Sequence, residues 1–244
     1  MNRIKFLNIE IDNLTMDEAI KRIDELIINK QPSYVVTPNV DHIVKLETDS
    51  EFQEVYKNAD LILADGMPLI WISKLKNNPI KEKISGSDLF PAVCKLASNK
   101  GYKVFLLGAA EGIAVKAAEN LKSKYNGLNI VGTYSPSYGF DSREYEIKKI
   151  IKMINEVKPD ILAVGLGAPK QEKFLYTYSK QLNVPVSLAI GASIDFEAGN
   201  IERAPKWMQN IGLEWFYRLC KEPRRMYKRY LIDDIKIIKI IRKY

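Results

Sequence analysis

Six short runs of apolar, strand-forming residues recur along this chain of 244 residues: SYVVT (33–37), DLILA (60–64), KVFLLG (103–108), LNIVG (128–132), DILAVGLG (160–167) and VPVSLAIG (184–191). Most are apolar throughout instead of alternating with polar residues, which is the pattern of strands covered on both faces. Between them lie segments of helical periodicity at 15–30, 87–100, 111–126, 142–157 and 169–183, the first opened by Thr15 and Glu18 as a capping box. Strands alternating with helices predict an α/β fold, a Rossmann-like and mostly parallel sheet flanked by helices.

In such a sheet, ligands bind beyond the carboxyl ends of the strands. The loops after the six runs are TPNVDH, DGMP, AAEG, TYSPSYGF, APKQE and ASIDFEAG, and they would meet along one edge. Asp65, between four apolar residues and Gly66, reads either as a general base for a hydroxyl nucleophile or as half of an Asp-Gly turn. Thr37 and Asn39 flank Pro38, where they could hydrogen-bond a sugar or close an Asx or Ser/Thr turn. The glycines of LLGAAEG (Gly108, Gly112) and VGLGAPKQE (Gly165, Gly167) allow a backbone to approach phosphate or simply turn from strand to helix. Neither stretch completes a dinucleotide fingerprint or a P-loop. Lys83 and Lys170 could neutralise phosphate, and Gln171 stands at a helix start from which its amide could reach a ligand.

Other chemistries are disfavoured. The only histidine, His42, has no G-x-S-x-G elbow with it, so a hydrolase triad is not expected; it reads as a helix-start or packing residue. No Asp-x-Asp occurs, which predicts a metal-independent site. Two cysteines, Cys94 and Cys220, fit a reducing cytoplasm better than a disulfide framework. The first residues lack the apolar core of a secretory signal, and no run of about 18 apolar residues predicts a membrane-spanning helix.

Taken in order, TPN (37–39), ADGMPLIW (64–71), KISGSDL (83–89), VFLLGA (104–109), PDILAVGLGAPKQEKF (159–174), IGASIDFEAG (190–199), RAPKWMQNIGLEWFYRL (203–219) and EPRRMYKRY (222–230) resemble the WecG/TagA/CpsF family of bacterial glycosyltransferases, most of all its TagA branch. The resemblance spans nearly the whole chain. It implies inverting transfer of an N-acetylhexosamine, typically N-acetylmannosamine from UDP-N-acetylmannosamine, to the 4-hydroxyl of GlcNAc-diphospho-undecaprenol, as in the linkage unit of wall teichoic acid. The UDP-sugar would be a substrate, and no cofactor is implied. Asp65 would be the base, Thr37 and Asn39 would hold sugar, and Gln171 and Lys83 would face sugar or diphosphate. Gly108 and Gly167 would admit the nucleotide, with Tyr138 or Asp195 on uracil or ribose. Two departures stand out: Lys83 occupies a position where arginine is more usual in the family, and Ala192 replaces a glycine of its usual GVGG-like stretch.

The end of the chain differs from the rest. Ten basic against four acidic residues follow position 213, so six of the seven net positive charges sit in the last 31 residues. This divides the chain into a catalytic domain at 1–195 and a basic, aromatic helical appendage at 196–244. Projected as one α-helix from Tyr227, the tail puts Tyr227, Tyr230, Leu231, Ile235, Ile237, Ile238 and Ile241 on one face and Lys228, Arg229, Lys236, Lys239, Arg242 and Lys243 on the other, with Ile232 and Ile240 as exceptions. A helix docked on the core and a helix lying on an anionic membrane surface both fit that pattern. With a lipid-linked substrate, the second predicts an enzyme peripheral to the inner face of the plasma membrane. Folded back, Arg218, Arg224 and Arg225 would reach the diphosphate. Self-association would cover the apolar face away from the membrane. A nucleic-acid contact surface is the reading of another class, and a dinucleotide-dependent oxidoreductase a third; the ordered motifs favour the transferase, with no nucleic-acid partner.

Overall fold

A computed structural model describes residues 3–244, apart from the side chains of Asn210, Arg225 and Leu231. Strands β1 (Arg3–Phe6) and β2 (Ile9–Asp12) form an antiparallel hairpin. Six further strands, β3 (Ser33–Val36), β4 (Leu61–Ile62), β5 (Lys103–Gly108), β6 (Asn129–Tyr134), β7 (Ile161–Gly165) and β8 (Val186–Ala189), form one wholly parallel sheet in the order β4-β3-β8-β7-β5-β6. The sheet is the expected α/β architecture, and each of the six apolar runs contributes one strand.

Why the runs are apolar throughout is visible in the packing. Successive side chains of a strand point to opposite faces, and here both faces are core. Tyr34 and Val36, Phe105 and Leu107, and Leu162 and Val164 join one hydrophobic cluster; Val35, Val104, Leu106, Ile161 and Ala163 join the other. Helices Met16–Asn29, Gly86–Lys100 and Ile113–Lys124 cover the second face. Helices Val40–Lys45, Ser50–Lys57, Met67–Leu75, Glu144–Val157 and Lys170–Leu182 cover the first. The predicted capping box of Thr15 and Glu18 opens the helix Met16–Asn29.

The strand order sets where a ligand can enter. From β3 the chain moves outward to β4, and from β5 outward to β6, while β7 and β8 return to fill the gap. Loops after β3, β7 and β8 therefore diverge at the middle of the sheet, the crevice in which open α/β sheets bind ligands. The hairpin secures the β4 edge: Arg3 grips Asp12 through two hydrogen bonds of 3.0 and 2.9 Å, and Asp12 in turn accepts from the Ile62 N–H at 2.8 Å.

The tail is helical but does not keep a single α-helical register. Helix Pro223–Lys228 passes into a π-helical segment, Arg229–Asp233, then a 3-10 turn, Asp234–Lys236, and a last helix, Ile237–Lys243. Each wider or tighter turn rotates the residues beyond it about the helix axis. The faces therefore differ from the 100° projection: Ile240, an exception in that projection, is buried in the core with Ile237 and Ile241 beside it, whereas Tyr227, Ile235 and Ile238 are exposed. Arg229 leaves the basic face and turns inward. Among the described residues no helix is long and apolar enough to cross a membrane.

Candidate active site

The loop after β3 runs Thr37-Pro38-Asn39 into helix Val40–Lys45, and the chain after β4 runs alongside it. Backbone bonds hold the two together: the Leu63 N–H donates to Val36 O at 3.0 Å and the Asp65 N–H to Pro38 O at 2.8 Å. Asp65 is thus fixed through its main chain, and its carboxylate accepts no hydrogen bond from any described residue. It faces two adjoining cavities.

One cavity, about 440 Å³, opens along the middle of the sheet edge and is more polar than apolar, with Thr37, Asn39, Gly167, Gln171, Gly191 and Ser193 in its wall. The other, about 410 Å³, lies under the tail and is largely apolar, with Met67, Trp215, Tyr230, Ile235, Ile237 and Ile238 among its lining. Asp65, Asn39, Ser87, Phe196, Arg218 and Arg229 border both. The carboxylate considered as a base therefore stands at the boundary between a more polar and an apolar chamber.

Electrostatics at this boundary favour a base. Burial pushes Asp65 up to about 6; Lys83 and His42 pull it down, while Glu214 and Asp88 push it further up. A carboxylate tuned to that range remains ionised at neutral pH yet holds a proton better than an ordinary aspartate. Asp234, from the tail, borders the apolar cavity and is likewise raised by burial to about 6 against the pull of Arg229. Asp88 goes the other way. Burial would raise it, but the hydrogen bond and charge of Lys83, with Ser85 and Arg203, hold it at about 2.

The structure sorts the residues read from sequence. Thr37, Asn39, Asp65, Gln171, Gly167 and Arg218 meet around the polar cavity. Thr37 donates to Ala189 O at 3.4 Å. Gln171 is engaged at both ends, donating to Glu172 at 2.8 Å and accepting the Gly191 N–H at 3.1 Å. Gly167 has φ +77° and open space where a Cβ would stand, so a ligand could approach its backbone. Lys83 borders the apolar cavity but spends its ammonium on Asp88 at 2.7 Å.

Gly108, Tyr138, Asp195 and Arg224 border neither cavity. A Cβ on Gly108 would lie 2.3 Å from Gly165 O, so that glycine permits close approach of β5 to β7. Tyr138 is 97% exposed beside Lys170. Asp195 accepts from Asn200 at 3.1 Å, and Arg224 is exposed. Arg225 falls outside the described side chains.

Three contributors carry no local signal in the sequence. Arg229 donates to Asn39 Oδ1 at 3.2 Å. Arg203 binds Asp88 at 2.9 Å and Glu214 at 3.4 Å. Phe196 lies between two guanidinium groups, with Arg203 and Arg218 centred 5.8 and 5.9 Å from its ring. Among the described residues, no group of three or more His, Cys, Asp or Glu is arranged to hold a metal ion.

The parallel α/β sheet thus carries a buried carboxylate between a polar and an apolar chamber at its edge. The profile of the Glycosyl transferase WecG/TagA/CpsF family matches residues 4–244, and the chain belongs to that family. It is similar to the N-acetylglucosaminyldiphosphoundecaprenol N-acetyl-beta-D-mannosaminyltransferase of Bacillus subtilis (strain 168), 32% identical over 92% of this chain and 85% of that one. The enzyme of the same name from Bacillus spizizenii is 31% identical over 92% and 84%, and that from Staphylococcus aureus (strain MW2) 29% identical over 99% and 94%.

Proposed function

We propose that this glycosyltransferase moves N-acetylmannosamine from UDP-N-acetylmannosamine to the 4-hydroxyl of GlcNAc-diphospho-undecaprenol with inversion, forming the β-1,4 disaccharide of a wall teichoic acid linkage unit. The observation that carries the reading is the position of Asp65 between the two cavities. The names of the similar enzymes, which specify a mannosaminyl donor group and a GlcNAc-diphosphoundecaprenol acceptor, support the choice of substrates.

In this reading the sugar nucleotide occupies the polar cavity beside Thr37, Asn39 and Gly167, and the acceptor's first isoprene units enter the apolar one. Asp65 takes the proton of the acceptor 4-hydroxyl as its oxygen forms the new bond to the anomeric carbon. The bond from that carbon to the phosphate oxygen breaks, and UDP departs with the electron pair. Arg218 and Arg229, which border both chambers, offset the charge that develops on the diphosphate. In this reading 1–195 is the catalytic domain and 196–244 a membrane-targeting appendage that also lends Arg218 and Arg229 to the site. The exposed Trp207, Ile211, Phe216, Ile235 and Ile238 would rest on an anionic membrane at the inner face, where the acceptor resides.

The test is direct. Purified protein is incubated with a panel of UDP-sugars and a short-chain GlcNAc-diphospho-lipid, and disaccharide and UDP are quantified. Disaccharide from UDP-N-acetylmannosamine above all other donors is expected; no transfer from any donor would refute the proposal.

A further inference from the structure

The cavity under the tail is largely apolar, yet its wall carries two charged side chains with atoms that no described residue satisfies. Asp234 Oδ1 and Arg229 Nε are each buried without a hydrogen-bond partner, and both residues line the cavity. They stand one π-helical turn apart, with the Asp234 N–H donating to Arg229 O. The charge of Arg229 is felt at Asp234, but the guanidinium gives its terminal nitrogen to Asn39 Oδ1 at 3.2 Å.

An acceptor atom and a donor atom left bare in an apolar wall restrict what can fill the space beside them, because buried polar groups need partners. An isoprene chain satisfies neither. A diphosphate would accept from Arg229 and be repelled by Asp234. A hydroxyl does both, donating to the carboxylate and accepting from the guanidinium N–H. Aromatic surface lies in the same part of the wall. Trp215 and Tyr230 meet edge to face with ring centroids 6.0 Å apart. Burial pushes the Tyr230 phenol up, Arg218 and Arg229 oppose, and Asp234 and Asp65 both add to the rise, so the two carboxylates share one neighbour. A sugar ring presents C–H groups on its faces and hydroxyls on its rim, and it is held by this combination of aromatic face, donor and acceptor.

We infer that the part of the cavity bounded by Asp65, Trp215, Arg229, Tyr230 and Asp234 is a subsite for the sugar ring of the lipid-linked acceptor, in which the Asp234 carboxylate accepts from a ring hydroxyl other than the attacking one. The inference rests on the transferase reading for the identity of that sugar as N-acetylglucosamine. With the ring in this place its attacking hydroxyl meets Asp65, and the isoprene chain follows Ile235 and Ile238, which line the same cavity and are exposed at the surface. The carboxylate also discriminates. A lipid diphosphate that lacks its sugar would set hydrocarbon or a second anion against Asp234, so the subsite rejects it.

The test compares two probes at pH 7.5 by calorimetry, farnesyl diphosphate and its N-acetylglucosaminyl derivative. Wild-type protein should bind the sugar-bearing lipid at least about tenfold more tightly. Asp234→Asn, a change of almost no volume, should weaken that lipid by about tenfold, the loss expected for one charge-assisted hydrogen bond, and leave farnesyl diphosphate and the UDP-sugar within about threefold. Tighter binding of both lipids to Asp234→Asn would place the diphosphate beside residue 234 and overturn the subsite. So would equal affinities of the two lipids for wild type, or no change in the variant, which would leave the carboxylate to solvent. In the transfer assay Asp234→Asn should raise the acceptor KM about tenfold with the donor KM unchanged. Sugar-selective lipid binding without transfer by the wild-type enzyme would count against the transferase reading alone, whereas transfer with an unaltered acceptor KM in Asp234→Asn would count against the subsite alone.

Discussion

Arg229 and Asn39 stand 190 positions apart in the chain and meet at 3.2 Å, guanidinium to amide oxygen, at the border of both cavities. Through this contact the tail completes the wall of the site. Removing the guanidinium should therefore impair turnover even on a water-soluble acceptor. Arg229→Ala and Arg218→Ala are each expected to lower kcat/KM by at least about tenfold. Arg224→Ala, which alters an exposed side chain outside both cavities, should change it less than about threefold. Equal losses in all three would mean that the tail's charge acts without regard to position.

Asp65→Asn should abolish transfer while leaving the fold intact. A positioned general base contributes roughly 10²- to 10⁴-fold, and loss of rate in that range with unchanged UDP-sugar binding by calorimetry is the expected result. Turnover within about threefold of wild type would remove Asp65 from the role.

The same carboxylate sets a pH dependence. With Asp65 at about 6, kcat/KM should fall on the acid side with a midpoint near pH 6 and level off above pH 7. The sign for stability is opposite to that of a salt-bridged aspartate. Between its unfolded value of about 4 and its folded value, Asp65 binds its proton more tightly in the folded state, so stability declines as pH rises through that window and stays lower above it. Asp65→Asn should thus be more stable than wild type at pH 7.5, by of order 1–2 kcal/mol after allowance for solvent in the open cavity. The check is chemical denaturation of both proteins at pH 4.5 and 7.5, where only the higher pH should separate them.

Two glycines should respond differently to alanine. Gly108→Ala drives a Cβ into the Gly165 carbonyl, at 2.3 Å, at a residue with φ +123°; loss of soluble folded protein is expected. Gly167→Ala meets open space and should cost about 1–2 kcal/mol for its left-handed backbone. Thermal unfolding of the two variants decides the comparison.

Transfer should persist in excess EDTA. The expectation rests on the absence of an Asp-x-Asp sequence and on the guanidinium groups available for the diphosphate. Strict dependence on added Mg²⁺ or Mn²⁺ in the disaccharide assay would refute it.

Much of this was legible in the sequence because it is local. Uniformly apolar runs require a strand with core on both sides, and a carboxylate after such a run at a sheet edge is conspicuous. What was not legible depended on distance or on register. His42 and Glu172 are each unremarkable in sequence, and only the return of β7 and β8 to the centre of the sheet brings them together across 130 positions. Gly108 gave the same signal as Gly167, since a glycine that admits a neighbouring strand cannot be told from one that admits a ligand until the neighbour is seen. The inward turn of Ile240 is a matter of register, as the π-helical segment that begins at Arg229 rotates the residues beyond it away from the projection.

That segment makes the tail sensitive to residue count. Exchanging one isoleucine for another aliphatic residue between 235 and 241 keeps each side chain where it is. Deleting a single residue between 229 and 233 would let the helix close into regular turns and swing Ile240 away from the core. A chain of nearly unchanged composition, hydrophobicity and charge would then have its last helix facing the wrong way, with the site left open beneath it.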